Sequence, residues 1–175
     1  MNAEYIRYLR ERQASTSVGA STARGMGPKG TIQAARQFLM NLKLERFRKE
    51  SEAAFLRELE IATSQLKDAL PEGARKWGSA RKFLNIFLRG CSYNKYLCSH
   101  YRLHVLEPWL EVPLDSHVAK GLKRIAGRGN LPHWPGVIHL TPQDSGLFQC
   151  FASKAAKNDG VNRVDLDVKF WRRVG

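Results

Sequence analysis

Apolar side chains recur every three to four residues along most of this chain, the spacing of amphipathic helices. Residues 3–12 read as a short helix. Gln13–Gly30, rich in Ser, Thr, Gly and Pro, reads as a mobile loop or arm in which Arg24 and Lys29 are placed to touch phosphate. Ile32, Ala35, Phe38, Leu39, Leu42 and Phe47 form one stripe, and Phe55, Leu56, Leu59, Ala62, Leu66 and Leu70 another; Ser51 either caps the second helix or lies within one long helix. Pro71-Glu72-Gly73 breaks the pattern. A helix from Gly78 to Gly90 follows, with Ala80, Phe83, Leu84, Phe87 and Leu88 on its apolar face and Lys82, Asn85 and Arg89 on its polar flank.

Tyr93–Val105 reads as one helix stopped by Pro108. A turn through Val112-Pro113-Leu114 leads to a helix from Asp115 or Ser116 to about Ala126, closed by Gly127-Arg128-Gly129-Asn130. Thr141-Pro142-Gln143-Asp144 carries a helix-start signature, with helix expected to about Lys157. Val164–Trp171 alternates like a strand, but no partner strand is in view and Asn162 with Asp165 reads as a cap, so a final helix is favoured. The expected fold is all-α with seven or eight helices. Residues 1–30 form an N-terminal helix and flexible basic arm, and residues 31–175 a single helical domain.

Charge narrows the function. The 175 residues carry 29 Lys+Arg against 16 Asp+Glu, net +13, a balance suited to nucleic acid. Residues 72–130 are especially basic, with eleven cations against four acids. No apolar run is long enough to span a membrane and no signal-peptide core is visible, so a cytoplasmic protein without membrane attachment is expected, as a monomer. Cys91, Cys98 and Cys150 are too few and too widely spaced for a disulfide framework. Cys91, Cys98, His100 and His104 match no zinc spacing, so no metal is expected. Asp115-Ser116-His117 are too close in sequence for a hydrolase triad, and Gly25–Gly30 lacks the order of a P-loop.

Two segments point to a reaction. Gly78-Ser79-Ala80-Arg81-Lys82-Phe83-Leu84-Asn85 resembles the hairpin and second helix of helix-hairpin-helix DNA glycosylases, and Val112-Pro113-Leu114-Asp115-Ser116-His117-Val118 resembles their V-P-V-D-[TS]-H-[VI] segment. The resemblance covers residues 74–121. It implies removal of a damaged or modified base from double-stranded DNA, including bulky modified bases of foreign DNA such as phage genomes. Asp115 would stabilise the sugar cation or activate the nucleophile. Lys82 aligns with the amine that bifunctional members use as nucleophile, and Arg81 and Lys76 are close enough in sequence to lower its pKa. DNA contacts would fall to Lys76, Gly78, Arg81, Asn85, Arg89, His117, Lys123, Arg124 and Arg128. An extruded base would be offered Tyr93, Tyr96, Tyr101 and Trp109. Some members hold an iron–sulfur cluster on four cysteines; three are present, so no cofactor is expected.

Two departures and two alternatives stand beside this reading. Only Gly78 of the two hairpin glycines remains, Ala80 occupying the other position, and 33 positions separate Lys82 from Asp115, more than in typical members. That interval favours attack by water, with Lys82 used on a flanking phosphate. Asp115 also fits an ordinary helix N-cap, and the whole pattern fits a non-enzymatic helical module that binds DNA or RNA.

Overall fold

A computed structural model describes residues 2–171; residues 172–175, the end of the expected C-terminal domain, lie outside it. The described residues are all-helical: α1 (Ala3–Ser17), α2 (Thr31–Asn41), α3 (Glu52–Ala69), α4 (Trp77–Tyr93), α5 (Lys95–Tyr101), α6 (Ser116–Ala126), α7 (Pro142–Asp159) and α8 (Leu166–Trp171), with short 3-10 turns between them and no strand.

Side-chain caps set several boundaries. Ser51 accepts a hydrogen bond from the Ala54 amide, so α3 begins as a separate helix. Thr141 accepts from the Asp144 amide ahead of Pro142 and starts α7 where expected. The predicted helix over Tyr93–Val105 is two elements, because the Asn94 side chain accepts from the Tyr96 and Leu97 amides and restarts the chain as α5. Arg102, at φ 54°, then ends α5 in the left-handed conformation. Asn162 and Asp165 form a reciprocal capping box that leads into α8, settling the final segment as helix.

The N-terminal arm is a correction. α1 continues five residues past Arg12 to Ser17, burying Ala14 and Ser17, and Val18 beyond it is fully buried. The following segment folds back on the domain: the Arg36 guanidinium donates to the Val18 carbonyl at 2.8 Å, Met26 is buried, and Gly27 lies against Ala74 and Thr31. Ile6, Ala14 and Val18 are spaced as one helical face, but the charged run Arg10-Glu11-Arg12 and the polar run Ser15-Thr16-Ser17 between them mask it in the sequence.

Two cores share α4. The larger one joins α1–α5 around Phe47, Phe55, Phe83 and Phe87; the smaller joins α6–α8 around Phe148, Leu122 and Leu166. α4 packs on α1, α2, α3, α5 and the turn at Val137–His139, so it is the central post of the larger core.

Candidate functional site

The first turn of α4 holds Gly78 inside the helix and covered. A Cβ there would collide with the Val137 carbonyl oxygen and come within 2.8 Å of the Leu140 Cβ. Gly78 therefore allows the 137–140 segment to close on α4, and it offers no exposed backbone amide to a DNA phosphate. That is a correction to its expected role.

Arg81 and Asn85 face inward as well. The Arg81 guanidinium donates to both carboxylate oxygens of Glu111, at 2.8 and 3.2 Å, and to the Thr63 hydroxyl at 2.8 Å; the Asn85 amide donates to Glu111 at 2.9 Å. Arg81 is 7% exposed and also lies over the Trp77 ring. Burial works to raise the Glu111 pKa, but the Arg81 charge and the hydrogen bonds outweigh it and hold the carboxyl below its usual range. Arg81 and Asn85 are thus committed to an internal network and not presented to phosphate, contrary to expectation.

Glu111 belongs to an extended stretch, Leu110–Asp115, threaded through the interior between the two cores. Its backbone is tied by side chains. Gln149 on α7 accepts from the Val112 amide at 3.2 Å and donates to the Val112 carbonyl at 2.8 Å, and Arg163 donates to the carbonyls of Leu110 and Trp109. Buried strand-like backbone needs partners for its amides and carbonyls, and these side chains take the place of a neighbouring strand. Asp115 ends the stretch as the N-cap of α6, one carboxylate oxygen accepting from the His117 and Val118 amides at 2.9 and 3.0 Å.

The tying of this stretch to α4 brings Asp115 near Lys82. The Lys82 amine donates to the Thr22 carbonyl at 3.2 Å, in the segment that folds back after α1. Loss of solvent lowers its pKa, and the Asp115 charge, within electrostatic reach, opposes that shift. The lowering thus has burial as its cause, where neighbouring cations were expected to supply it. Arg89, seven residues on, ion-pairs with Asp167 of α8; burial lowers its pKa against the opposing charges of Tyr93, Asp165 and Asp115. Lys82 and Arg89 on α4 therefore both feel the charge of Asp115 at the N-cap of α6, and Arg89 is held in addition by Asp167 of α8.

The proposed base-pocket residues separate. Tyr101 is 5% exposed, and Trp109 packs into the larger core 6.2 Å from Phe55, so both serve the interior. Tyr93 is exposed but its hydroxyl donates to Asp165, and burial followed by that carboxylate raises its pKa. Tyr96 is exposed beside α1, among different neighbours. The remaining basic candidates lie outward: Lys76, Arg124 and Arg128 are exposed, Lys123 is half-buried with its amine donating to the Pro132 carbonyl, and His117 is exposed at the start of α6.

Glu111, Gln149, Arg163 and Asp167 organise this region and were not singled out from the sequence. Glu111 had a usable signal, since a lone acid inside Trp109-Leu110-Glu111-Val112-Pro113-Leu114 is buried and must find a cation. Gln149 sits likewise on the apolar side of α7 with Phe148 and Ala152. No protein-family model matches the chain, and neither a curated protein nor a solved structure matches it.

Proposed function

We propose that the protein is a DNA glycosylase that removes a damaged or modified base from double-stranded DNA, with Asp115 and Lys82 as its reacting pair. The observation that carries the reading is their electrostatic coupling: 33 positions apart in sequence, the Lys82 amine on α4 feels the charge of Asp115 at the N-cap of α6.

In this reading the target nucleotide leaves the stack and its C1′–N bond breaks, the base departing with the bonding electron pair and a proton. Asp115 faces the positive charge that develops on the sugar. The unprotonated Lys82 amine attacks C1′; its lowered pKa raises the fraction available for attack, and its burial makes it a poor holder of an outlying phosphate. The lowered pKa supports Lys82 as nucleophile, and the amine must first leave the Thr22 carbonyl; water, suggested by the sequence interval, is the competing nucleophile. A bulky base, as in modified foreign DNA, is the substrate class to test first, and Lys76, Arg124 and Arg128 are the exposed cations available to the backbone.

A second reading, a non-enzymatic DNA-binding module, is favoured by one observation: Tyr101 is buried and Trp109 is half-buried against the larger core, so neither is laid out as an open stacking face. A panel of duplexes carrying single lesions or modified bases, followed by alkali cleavage, separates the two. Asp115→Asn keeps a cap acceptor but loses the charge, and excision is expected to fall by about two powers of ten or more with DNA binding retained. Borohydride should trap a covalent adduct on abasic DNA that disappears in Lys82→Gln. Excision by the wild type with no trapped adduct restores water as nucleophile; binding without any excision leaves the binding module.

A further inference from the structure

The start of α1 and the helix α5 enclose a groove of about 720 Å³ lined by Asn2, Tyr5, Ile6, Tyr96, Ser99 and His100. Its volume falls within the ~300–1,000 Å³ range of ligand sites. Two features distinguish it from an incidental surface cleft. Tyr5 and Tyr96, from two different helices, leave about half their surface in solvent, at 53% and 50%, although each has an apolar ring to bury. Asn2, Ser99 and His100 line the same groove and offer hydrogen-bonding groups, the Asn2 side-chain carbonyl already accepting from the Tyr5 amide. Rings presented with a few polar groups are what an unpaired nucleobase requires: a face to stack on and partners for its edge.

Charge selects the same class of ligand. On α1 and α5 with its Arg102 cap, Arg7 pairs with both Glu4 and Glu11, which among the described residues leaves the exposed Arg12, Lys95 and Arg102 as the unopposed cations of these two helices. Arg7 lies over the ring of Tyr8, a third exposed tyrosine on α1, with its guanidinium carbon 5.0 Å from the centroid. The groove is also remote from Lys82. The amine contacts Thr22 beyond the C-terminal end of α1, whereas Tyr5 is in its first turn, and a helix rising 1.5 Å per residue puts about 18 Å between Tyr5 and Ser17.

We propose that this groove is a second nucleic-acid site, one that seats a single strand by stacking its bases on Tyr5 and Tyr96. It stands independently of the excision chemistry.

Fluorescence anisotropy with the full chain tests it, using labelled oligothymidylate and oligouridylate of about 12 nucleotides, which distinguish DNA from RNA as the favoured strand. Tyr5→Ala and Tyr96→Ala are each expected to weaken single-strand binding about tenfold and the pair together more, while Tyr5→Phe with Tyr96→Phe keeps wild-type affinity because the stacking rings remain. Asp115→Asn should bind single strands as the wild type does, so failure of the glycosylase reading leaves this result unmoved. As a check independent of folding, bound oligonucleotide should protect Tyr5 and Tyr96 of the wild-type protein from nitration. Wild-type protein that binds neither oligonucleotide, an alanine pair that binds both undiminished, or equal nitration with and without ligand overturns the proposal.

Discussion

Arg81 and Arg128 come from the same basic stretch of sequence, yet they live in opposite worlds. Arg81, on α4, is locked to Glu111, Thr63 and the face of Trp77 in the interior; Arg128, just past α6, stands in solvent beside Gly127 and Gly129. Both were read as phosphate contacts, since an excess of cations near a helix is the usual footprint of a nucleic-acid binder. The difference teaches that part of a strongly basic composition is internal structure. A guanidinium that neutralises a buried acid adds nothing to the field outside.

Substitutions on the two sides should separate sharply. Glu111→Ala leaves buried Arg81 with only the half-exposed Glu60 as counter-charge and strips Asn85 of its acceptor, and loss of one partner from a buried pair costs about 3–5 kcal/mol. For a chain of this length that corresponds to a fall in melting temperature of roughly 6–20 °C, measurable by circular dichroism. A melting temperature within about 2 °C of the wild type would place the network at the surface and erase the contrast.

Lys82 lies between these extremes, and pH probes it. Its pKa is lowered in the folded protein, so over the interval between that value and the ordinary lysine value of about 10.4 the unfolded chain binds more protons. Stability attributable to Lys82 therefore rises with pH through that interval and is flat on either side, with a slope of at most about 1.4 kcal/mol per pH unit. Urea unfolding of wild type and Lys82→Met, compared from neutral pH to about pH 10, should give a stability difference that moves in favour of the wild type as pH rises. A constant difference would mean that the amine is solvated.

Arg128→Ala should give the smallest effect. Stability is expected to stay within about 0.5 kcal/mol of wild type, as for exposed surface positions. If Arg128 meets the DNA backbone, the slope of log affinity against log salt becomes shallower by about one. An unchanged slope removes Arg128 from the interface.

Most helices were legible because they carry their own local signal, the exceptions being the second half of α1 and the break at Asn94 before α5. Ala80, Phe83, Leu84, Phe87 and Leu88 mark α4, and Thr141-Pro142 marks the start of α7; both depend on neighbours within a few residues. The α6 cap was legible for the same reason, Asp115 bonding the amides two and three residues on. What escaped is non-local. Nothing near Gln149 in sequence says that it completes the backbone of Val112, 37 residues away, and nothing near Arg81 names Glu111, 30 residues away, as its partner. The polar flank of α4 looked solvent-facing because polarity alone does not distinguish a side chain that meets water from one that meets a buried opposite charge. The same blindness hid the placement of Tyr96 beside Tyr5.

The side-chain fastening of Leu110–Asp115 has a consequence for how much the intervening chain matters. Gln149, Arg163, Arg81 and Asn85 grip this stretch directly, so the position of Asp115 is decided at the point of attachment and not by the route from Arg89 through α5. The excursion around Asn94–Glu107 has a task of its own, placing Leu97, Tyr101, Leu103 and Leu106 in the larger core, while the carboxylate is held by fastenings outside it, like a rope cleated beyond the bend. A count of positions between two functional residues is therefore a poor ruler in this protein.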